Sequence, residues 1–254
     1  MPRVYTGVSD SWHDDYEHGR PGWPRAVLDV PGLASASSVV ELGAGTGKLT
    51  RLLVEAFDDV VAIEPDAGMR RVLAVACPGV RVLDGSAEAI PLPDRSADAV
   101  FAAEAFHNFD AAAAVAETAR VLRPGGTLAL LWNVPAGPTD PSIQAVEALL
   151  AEVGPTREEV GHDPIDLHTD RFASGAWKLP FEESPFDELR EVRLENVQTV
   201  DRDGLVAFFG SMGWLADQPD AERLPLLERV RSLLTADEYR RPWETRLHWA
   251  RLGV

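Results

Sequence analysis

The feature that most constrains the fold is a regular alternation of short apolar runs with amphipathic stretches between residues 38 and 133. Short apolar runs that alternate with helix-length amphipathic segments are typical of a parallel α/β sheet. The pattern predicts helices at 47–57, 67–77 and 111–122. It predicts strands at 38–42, 60–63, 80–83, 97–102 and 127–132.

The residues on either side of this unit are less regular. A polar arm precedes it, and an acidic stretch with little periodicity follows it at 135–185. The apolar periodicity outside the central unit predicts helices at 142–153, 202–209 and 219–234, and strands at 189–200 and 244–252.

The net charge of the chain argues against some classes of binding partner. The chain has 254 residues with 24 Lys and Arg against 41 Asp and Glu, a formal net charge of −17. Such a surface repels phosphate backbones and anionic lipids, so we expect neither nucleic acid nor membrane as a partner. An uncharged stretch at 124–139 is too short to span a bilayer and is broken by prolines. Cys77 is the only cysteine, which excludes an intrachain disulfide and favours a cytoplasmic location.

A glycine-rich loop, Glu-Leu-Gly-Ala-Gly-Thr-Gly at 41–47, joins the first predicted strand to the first predicted helix. Glycines there allow a tight turn and let a ligand approach the backbone. A dinucleotide-binding loop requires a third glycine where Lys48 stands. A phosphate-binding loop requires a glycine at Leu42 and a Ser or Thr at Leu49. The spacing therefore excludes both phosphate-binding motifs.

Two acids indicate what the loop binds instead. Glu41 stands at the mouth of the loop, where a pyrophosphate would meet a carboxylate but a cationic ligand would be attracted. Glu64 ends the second predicted strand, 21 residues after Gly43, a position from which an acid accepts hydrogen bonds from ribose hydroxyls. An adenosine-type cofactor without phosphate fits this pattern, and S-adenosylmethionine meets that description.

Four segments in this order resemble the class I S-adenosylmethionine-dependent methyltransferases of the type 11 group. They are 39–50, 61–69, 84–98 and 120–133, the last with its Arg-Val-Leu-Arg-Pro-Gly-Gly turn. The flanking segments 16–24, 105–110 and 221–224 are similar to the trans-aconitate methyltransferase-like branch. The resemblance implies a Rossmann-like α/β fold: a mostly parallel seven-stranded sheet with an antiparallel last strand and helices on both faces.

The resemblance also implies a division of the chain into three parts. Residues 1–37 would form an N-terminal helical arm or lid, and residues 38–133 the S-adenosylmethionine-binding core. Residues 134–254 would supply an acidic insert, followed by C-terminal strands and helices that complete the sheet and cover the acceptor site.

The same resemblance implies a set of cofactor-binding residues. The glycine loop would line the methionine part, the acid after the second strand the ribose, and the following helix the adenine. The N-terminal arm would close over the carboxylate. The implied residues are Tyr16, Arg20, Glu41, Gly43, Ala44, Gly45, Gly47, Glu64, Pro65, Met69, Ser86, Ala87, Glu88, Glu104 and Ala105.

Catalysis of methyl transfer rests mainly on alignment and exclusion of water, so a dedicated base is optional. His107 follows the fourth predicted strand and is the candidate catalytic base, although a buried structural histidine is an equal alternative. Arg20 or Arg171 would position a carboxylate acceptor. Trp12, Trp23 or Trp214 would wall an apolar acceptor pocket.

The predicted function is methyl transfer from S-adenosylmethionine to a small-molecule acceptor, with oxygen (carboxylate or hydroxyl) favoured. Two alternatives are a non-catalytic S-adenosylmethionine-binding protein and a nicotinamide-dependent oxidoreductase. The run at 162–168 has metal-ligand residue types without a recognised spacing, so no metal is expected. We expect a monomer or a homodimer.

Overall fold

The computed structural model describes residues 10–155 and 175–253, which form one mixed sheet with helices around it. The strand order is β3-β2-β1-β4-β5-β7-β6, and β7 runs antiparallel to both of its neighbours while the other pairs are parallel. This arrangement confirms the predicted fold class. The strands are β1 (Ser38–Leu42), β2 (Asp59–Ile63), β3 (Arg81–Leu83), β4 (Ala97–Ala103), β5 (Leu122–Pro135), β6 (Arg190–Asp201) and β7 (Glu238–Arg251).

Helices cover both faces of the sheet. Several begin at an aspartate whose carboxylate accepts a backbone N–H of the first turn, as at Asp66, Asp110, Asp140 and Asp201. Within the described residues the helices are α1 (Asp10–Gly19), α2 (Thr50–Val54), α3 (Ala67–Ala76), α4 (Ala111–Val121), α5 (Pro141–Val153), α6 (Leu179–Glu182), α7 (Arg202–Gly210), α8 (Gly213–Ala216) and α9 (Asp220–Leu233).

Three elements differ from their predicted bounds by several residues. The helix expected at 47–57 is shorter, because Gly47 has φ +88° and belongs to the loop rather than to a helix. The strand expected at 127–132 is longer at both ends, since β5 begins at Leu122, which pairs with β4, and pairs with β7 as far as Pro135. The strand expected at 244–252 begins at Glu238, where pairing with β6 extends it through a polar segment. The short helices α6 and α8 were not predicted.

Hydrophobic side chains form separate clusters on the two faces of the sheet, and a further cluster packs beneath α5, α7 and α9. The helix α1 packs against α7 at very close range, because a Cβ on Gly19 would lie 2.1 Å from the backbone nitrogen of Phe208. This contact places the N-terminal arm and the C-terminal helices together beside the sheet. Within residues 10–155 and 175–253, no helix combines the length and apolar character needed to cross a bilayer.

Candidate active site

The glycine loop folds back over the end of β2. The backbone N–H groups of Gly43 and Ala44 both donate to the carbonyl of Ile63, at 2.8 and 3.1 Å. Gly43, Gly45 and Gly47 have φ values of +65°, +57° and +88°, the left-handed region that favours glycine. A Cβ on Gly43 would lie 2.7 Å from the Cβ of Ala105, so the close approach of the loop to the residue after β4 also requires glycine.

Glu41 lies beneath this loop and is almost completely buried, with 1% of its surface exposed. Its carboxylate accepts a hydrogen bond of 2.5 Å from the hydroxyl of Thr50. The pKa of Glu41 is raised to about 8, chiefly by burial and to a lesser extent by the nearby Glu64 carboxylate, while the Thr50 hydrogen bond acts in the opposite direction. A cationic ligand above the loop would offset the cost of ionising this acid.

Glu64 follows β2 and joins the loop to the next helix. One carboxylate oxygen accepts the N–H of Gly45 at 2.9 Å, and the other accepts the N–H of Asp66 at 2.8 Å. Burial raises the pKa of Glu64, although both backbone hydrogen bonds favour its charged form. The carboxylate is therefore held in a fixed orientation beside the glycine loop.

Asp66 is a site residue that the sequence analysis missed. Its carboxylate caps α3 by accepting the N–H of Met69 at 2.8 Å, and it also lies 3.0 Å from Nε2 of His13 on α1. Met69 packs in a small apolar cluster with Trp12 of α1. The N-terminal helix thus reaches the segment that follows Glu64.

Glu104 stands immediately after β4 with φ +51°, an unusual conformation for a residue other than glycine. Its carboxylate accepts the N–H of Asn133 at 2.7 Å, and the side chain of Asn133 in turn accepts the hydroxyl of Thr245 at 2.5 Å. This chain of hydrogen bonds joins the ends of β4 and β5 to β7. It fixes the backbone that carries Ala105 and its neighbours.

The residue Arg20, which follows α1, links the arm to the C-terminal helices. Its guanidinium donates to the hydroxyl and the carbonyl of Ser211 at 2.8 and 3.2 Å. It lies 5.3 Å from the ring centroid of Tyr16 and 4.9 Å from that of Phe208. The indole of Trp12 also donates to the Ser211 carbonyl, at 3.3 Å. Ser211 lies 191 residues from Arg20 and carried no recognisable signal in the sequence.

These groups surround one cavity of about 230 Å³ at the carboxyl ends of β1, β2, β4 and β5. The carboxyl edge of a doubly wound sheet is the usual position of a ligand. Among the predicted site residues, the cavity is lined by Tyr16, Arg20, Glu41, Gly43, Ala44, Gly45, Glu64, Pro65, Met69, Glu104, Ala105 and His107.

Four predicted residues lie outside the lining of this cavity. Gly47 faces Leu73 and Cys77. Ala87 is buried in the main core, and Ser86 forms an isolated bridge with Ala89. The carboxylate of Glu88 accepts the backbone N–H of Asp110 at 2.9 Å.

The tryptophans that were predicted to wall the acceptor pocket do not all lie at the cavity. Trp12 and Trp23 line the cavity, whereas Trp214 packs against Gly154 and the C-terminal cluster. Arg171 and the run at 162–168 lie outside the described residues, and the described residues contain no group of three metal-ligating side chains. Residues that line the cavity but were not predicted include Asp66, Asn133, Phe208, Ser211, Met212 and Trp243.

His107 lies at the cavity with its ring fixed by neighbours. The indole N–H of Trp132 donates to Nδ1 at 3.3 Å, and because an indole nitrogen only donates, Nδ1 must be the unprotonated nitrogen. The ring proton of neutral His107 is therefore on Nε2. The side-chain amide of Asn108 lies 3.2 Å from Nε2, and a half-turn of that amide offers an oxygen acceptor.

A twisted α/β sheet with a glycine loop after β1, an acid after β2 and a cavity at their carboxyl ends defines a Rossmann-like cofactor-binding protein. A methyltransferase-domain family profile matches residues 40–130. Uncharacterised methyltransferases of Mycobacterium tuberculosis and Mycobacterium bovis are 39% identical over 219 residues, which are 86% of this chain and 82% of theirs. The chain belongs to the class I S-adenosylmethionine-dependent methyltransferases of the type 11 group.

Solved structures show the same architecture. A protein from Anaeromyxobacter dehalogenans described as a type II methyltransferase superposes with a TM-score of 0.61 and 26% identity, covering 92% of this chain and 97% of that chain. Phosphoethanolamine N-methyltransferase 2 of Haemonchus contortus, in complex with S-adenosyl-L-methionine, shares the fold with a TM-score of 0.54 and 16% identity, covering 98% of this chain and 58% of that chain. The protein is therefore an S-adenosylmethionine-dependent methyltransferase, and the nicotinamide and non-catalytic alternatives do not describe it.

The residues at the cavity fit this cofactor. A Cβ on Gly45 would meet nothing within 4 Å, so this part of the loop faces open space that a ligand can enter. Glu41 and Glu64 both line the cavity, where their carboxyl groups favour a cationic ligand. Met69 and Trp12 offer apolar surface for a purine.

Proposed function

We propose that this methyltransferase acts on a small-molecule acceptor and methylates an oxygen atom, either of a carboxylate or of a hydroxyl group. The observation that carries the proposal is the cover over the cavity. Trp12 and Arg20 both donate hydrogen bonds to Ser211, so the arm and the segment after α7 meet beside the cavity and cover part of it. A partly covered cavity of this size suits a small ligand. The formal charge of −17 also disfavours a polyanionic acceptor.

We further propose the cofactor roles of the lining residues. Glu64 accepts hydrogen bonds from the ribose hydroxyls, and the loop from Gly43 to Gly45 lies along the methionine part. Glu41 and Glu104 stabilise positive charge at the amino acid end, and Met69 packs on the adenine. Arg20 and Tyr16 close the site from the arm, as the division of the chain at residue 37 predicts. The resemblance to the trans-aconitate methyltransferase-like branch stays a prediction.

S-adenosylmethionine supplies an electrophilic methyl group on a sulfonium. The chain's contribution is to hold the acceptor oxygen in line with that group and to exclude water from the cavity. Trp12, Phe208 and Trp243 provide the apolar walls that exclude water. In our proposal His107 is not the base, and its Nε2–H group donates to the side-chain oxygen of Asn108 at the cavity wall. A carboxylate acceptor has no proton to lose, and a hydroxyl acceptor releases its proton to water.

Transfer of labelled methyl groups tests the proposed acceptor class. Matched sets of carboxylic acids, phenols, aliphatic alcohols and amines are incubated with the protein and labelled S-adenosylmethionine, and the products are separated. Label in methyl esters or methyl ethers supports the proposal. Label confined to amine products, or to nucleic acid added in parallel, would contradict it while leaving the methyltransferase assignment intact.

A further inference from the structure

Lys48 is a half-buried cation that lines the cavity and had no predicted role in it. Its side chain is 17% exposed. It lies directly after Gly47, the last glycine of the loop, and shortly before α2 begins at Thr50. It occupies the position where a dinucleotide-binding loop carries its third glycine. The loop therefore places a positive charge at the cavity where such a motif has no side chain.

The ammonium of Lys48 is only partly neutralised by the protein. Across residues 10–155 and 175–253 its one ion pair is with Glu17 of α1, and the distance from Nζ to Oε2 is 3.9 Å, too long for a hydrogen bond. Within the part of the chain that the structure describes, that oxygen has no hydrogen-bond partner, whereas Oε1 of Glu17 accepts a hydrogen bond of 2.7 Å from Arg51. One carboxylate is thus shared by two cations. Because an ammonium has three N–H donors, Lys48 keeps hydrogen-bonding capacity for a ligand.

Two arginines make the surroundings of Lys48 more positive. Burial lowers the pKa of Lys48, and so do the charges of Arg51 and Arg20, while Glu17 acts in the opposite direction. Arg20 also lines the cavity. Among the charges that act on Lys48, two cations therefore stand against one acid, although the whole chain has a net charge of −17. A bound anion would relieve the repulsion among these cations.

The position of Lys48 after the glycine loop indicates which anion it meets. A Cβ on Gly45, three residues earlier, would meet nothing within 4 Å, so the loop faces open space there. The methionine part of S-adenosylmethionine, proposed above to lie along this loop, ends in an ammonium and a carboxylate. Glu41 and Glu104 are the acids proposed for the ammonium, and their charge repels the carboxylate. Lys48 supplies the opposite charge at the end of the same loop.

We propose that Lys48 binds the carboxylate of the cofactor's methionine part, in the positive region that it shares with Arg20. The inference rests on the cofactor roles proposed above and adds to them a cation at the end of the glycine loop. A charge-assisted hydrogen bond between an ammonium and a carboxylate is about twice as strong as a neutral one. The sulfonium lies between the carboxylate end and the ribose, so Lys48 and Glu64 together fix the cofactor on both sides of the reacting centre.

A pair of ligands that differ only at the carboxylate tests the proposal without requiring turnover. S-adenosylhomocysteine and its carboxamide both retain the ammonium, and each is titrated calorimetrically into the full chain. The wild type is expected to bind the acid about tenfold or more tightly than the carboxamide. Lys48→Met is expected to remove most of that preference, and Lys48→Arg to retain part of it. Lys178→Met, at the only other lysine of the chain and at an exposed position, is the matched control and should bind as the wild type does.

A second measurement uses the wild-type side chains and so does not depend on the folding of a Lys48 variant. Reductive methylation with ¹³C-labelled formaldehyde places labelled dimethyl groups on amines, and Lys48 and Lys178 are the only lysines. S-adenosylhomocysteine is expected to shift the Lys48 resonance and to raise the pH at which it titrates, because a bound carboxylate favours the charged ammonium. The carboxamide is expected to change that titration less. The spectrum of Lys178→Met assigns the two lysine resonances.

The outcomes separate the explanations for this cation. Equal affinity of the wild type for the acid and the carboxamide overturns the proposal and leaves the cofactor assignment intact. A preference for the acid that survives in Lys48→Met also overturns it, as does an equal loss of affinity for both ligands, which would mean that Lys48 maintains the shape of the loop. A wild type that binds neither S-adenosylhomocysteine nor S-adenosylmethionine contradicts the cofactor roles proposed above as well. A thermal melt of each variant checks that it is folded.

Discussion

At the scale of single residues, the acids of the site are held in fixed positions by hydrogen bonds. The carboxylate of Glu64 bridges two backbone groups: one oxygen accepts the N–H of Gly45 and the other accepts the N–H of Asp66. A carboxylate held in this way loses little conformational freedom when a ribose binds. Its position after β2 is what the sequence spacing predicted.

Glu64→Gln tests the proposed ribose contact. An amide replaces one acceptor by a donor, so we expect cofactor affinity to fall by about 1–3 kcal/mol. Titration calorimetry with S-adenosylhomocysteine measures the change, and Glu55→Gln, an exposed glutamate paired with Arg25, is the control. Unchanged affinity in Glu64→Gln would remove this residue from the cofactor site.

Glu41 predicts a pH dependence of folding stability. Its pKa is raised to about 8 by burial, so between its ordinary pKa of 4.5 and about 8 the folded protein binds a proton that the unfolded chain releases. The contribution of Glu41 to the free energy of unfolding is therefore present at low pH and is lost as the pH rises through that window. The slope is at most about 1.4 kcal/mol per pH unit for one group.

Glu41→Gln should flatten this dependence. Urea unfolding between pH 5 and pH 8 is expected to show a smaller loss of stability in the variant than in the wild type. The free energy of unfolding of the variant should still fall somewhat as the pH rises, because burial also raises the pKa of Glu64. Parallel curves for the two proteins would show that Glu41 is ionised throughout.

His107 predicts how the reaction rate depends on pH. With Nδ1 engaged by Trp132 and the proton on Nε2, the ring is a hydrogen-bond donor and a poor base. We expect His107→Gln, which keeps an N–H donor, to lower kcat by less than about tenfold and to leave the pH profile of kcat unchanged. A general base contributes about 10²–10⁴-fold, so a loss of that size together with a lost acidic limb would establish His107 as the base.

At the scale of elements, α1 is the part of the chain whose position most affects access to the cavity. It contacts the α3 cap through His13 and Asp66, the residue after α7 through Trp12 and Ser211, and α2 through an ion pair of 2.7 Å between Glu17 and Arg51. These contacts reach three different parts of the molecule. The helix therefore holds the cofactor loop and the C-terminal helices in one arrangement.

Gly19→Ala tests the packing of α1 on α7. The added Cβ would lie 2.1 Å from backbone atoms of Phe208, so α1 must move away. Overpacking of this kind costs about 1–3 kcal/mol, and we expect a lower free energy of unfolding with weaker S-adenosylhomocysteine binding. Gly22→Ala is the control, because a Cβ there meets nothing within 4 Å. Equal stability and affinity in the two variants would contradict the role of this contact.

At the scale of the whole molecule, one sheet carries both the cofactor loop and the strands that support the cover. The strands β6 and β7 extend the same sheet as the core strands, and the cluster beneath α5, α7 and α9 includes Tyr239 and Trp243 of β7. The part of the cavity lined by Trp243 is thus joined through continuous backbone hydrogen bonds across β5 and β7 to the strands that carry the glycine loop.

The net charge of −17 predicts a dependence of stability on salt. Self-repulsion among excess acids destabilises the compact state, and salt screens it, whereas exposed ion pairs contribute little and lose little. We expect the melting temperature to rise as sodium chloride increases from about 20 mM to about 300 mM. Thermal unfolding at neutral pH over a series of salt concentrations measures this change. A melting temperature that falls with salt would mean that the ion pairs outweigh the repulsion.

Much of the fold followed from local patterns. The alternation between 38 and 133 predicted five parallel strands and their helices, because apolar periodicity and helix caps act within a few residues. Element ends were less predictable: β7 begins at Glu238 because pairing with β6 stabilises a polar segment that is not strand-like by itself. Likewise, Gly47 was predicted to begin a helix but belongs to the glycine loop, because its φ is positive.

The sequence by itself determined the glycine loop, the acids Glu41 and Glu64, and through them the class of cofactor. Only the tertiary structure decided the rest of the cavity, including Ser211 in contact with Arg20, and Phe208 and Trp243 in the wall. The physical reason is separation along the chain. Spacing rules describe residues that share a turn or a strand, whereas Arg20 and Ser211 meet only because α1 packs against α7 once the sheet has formed.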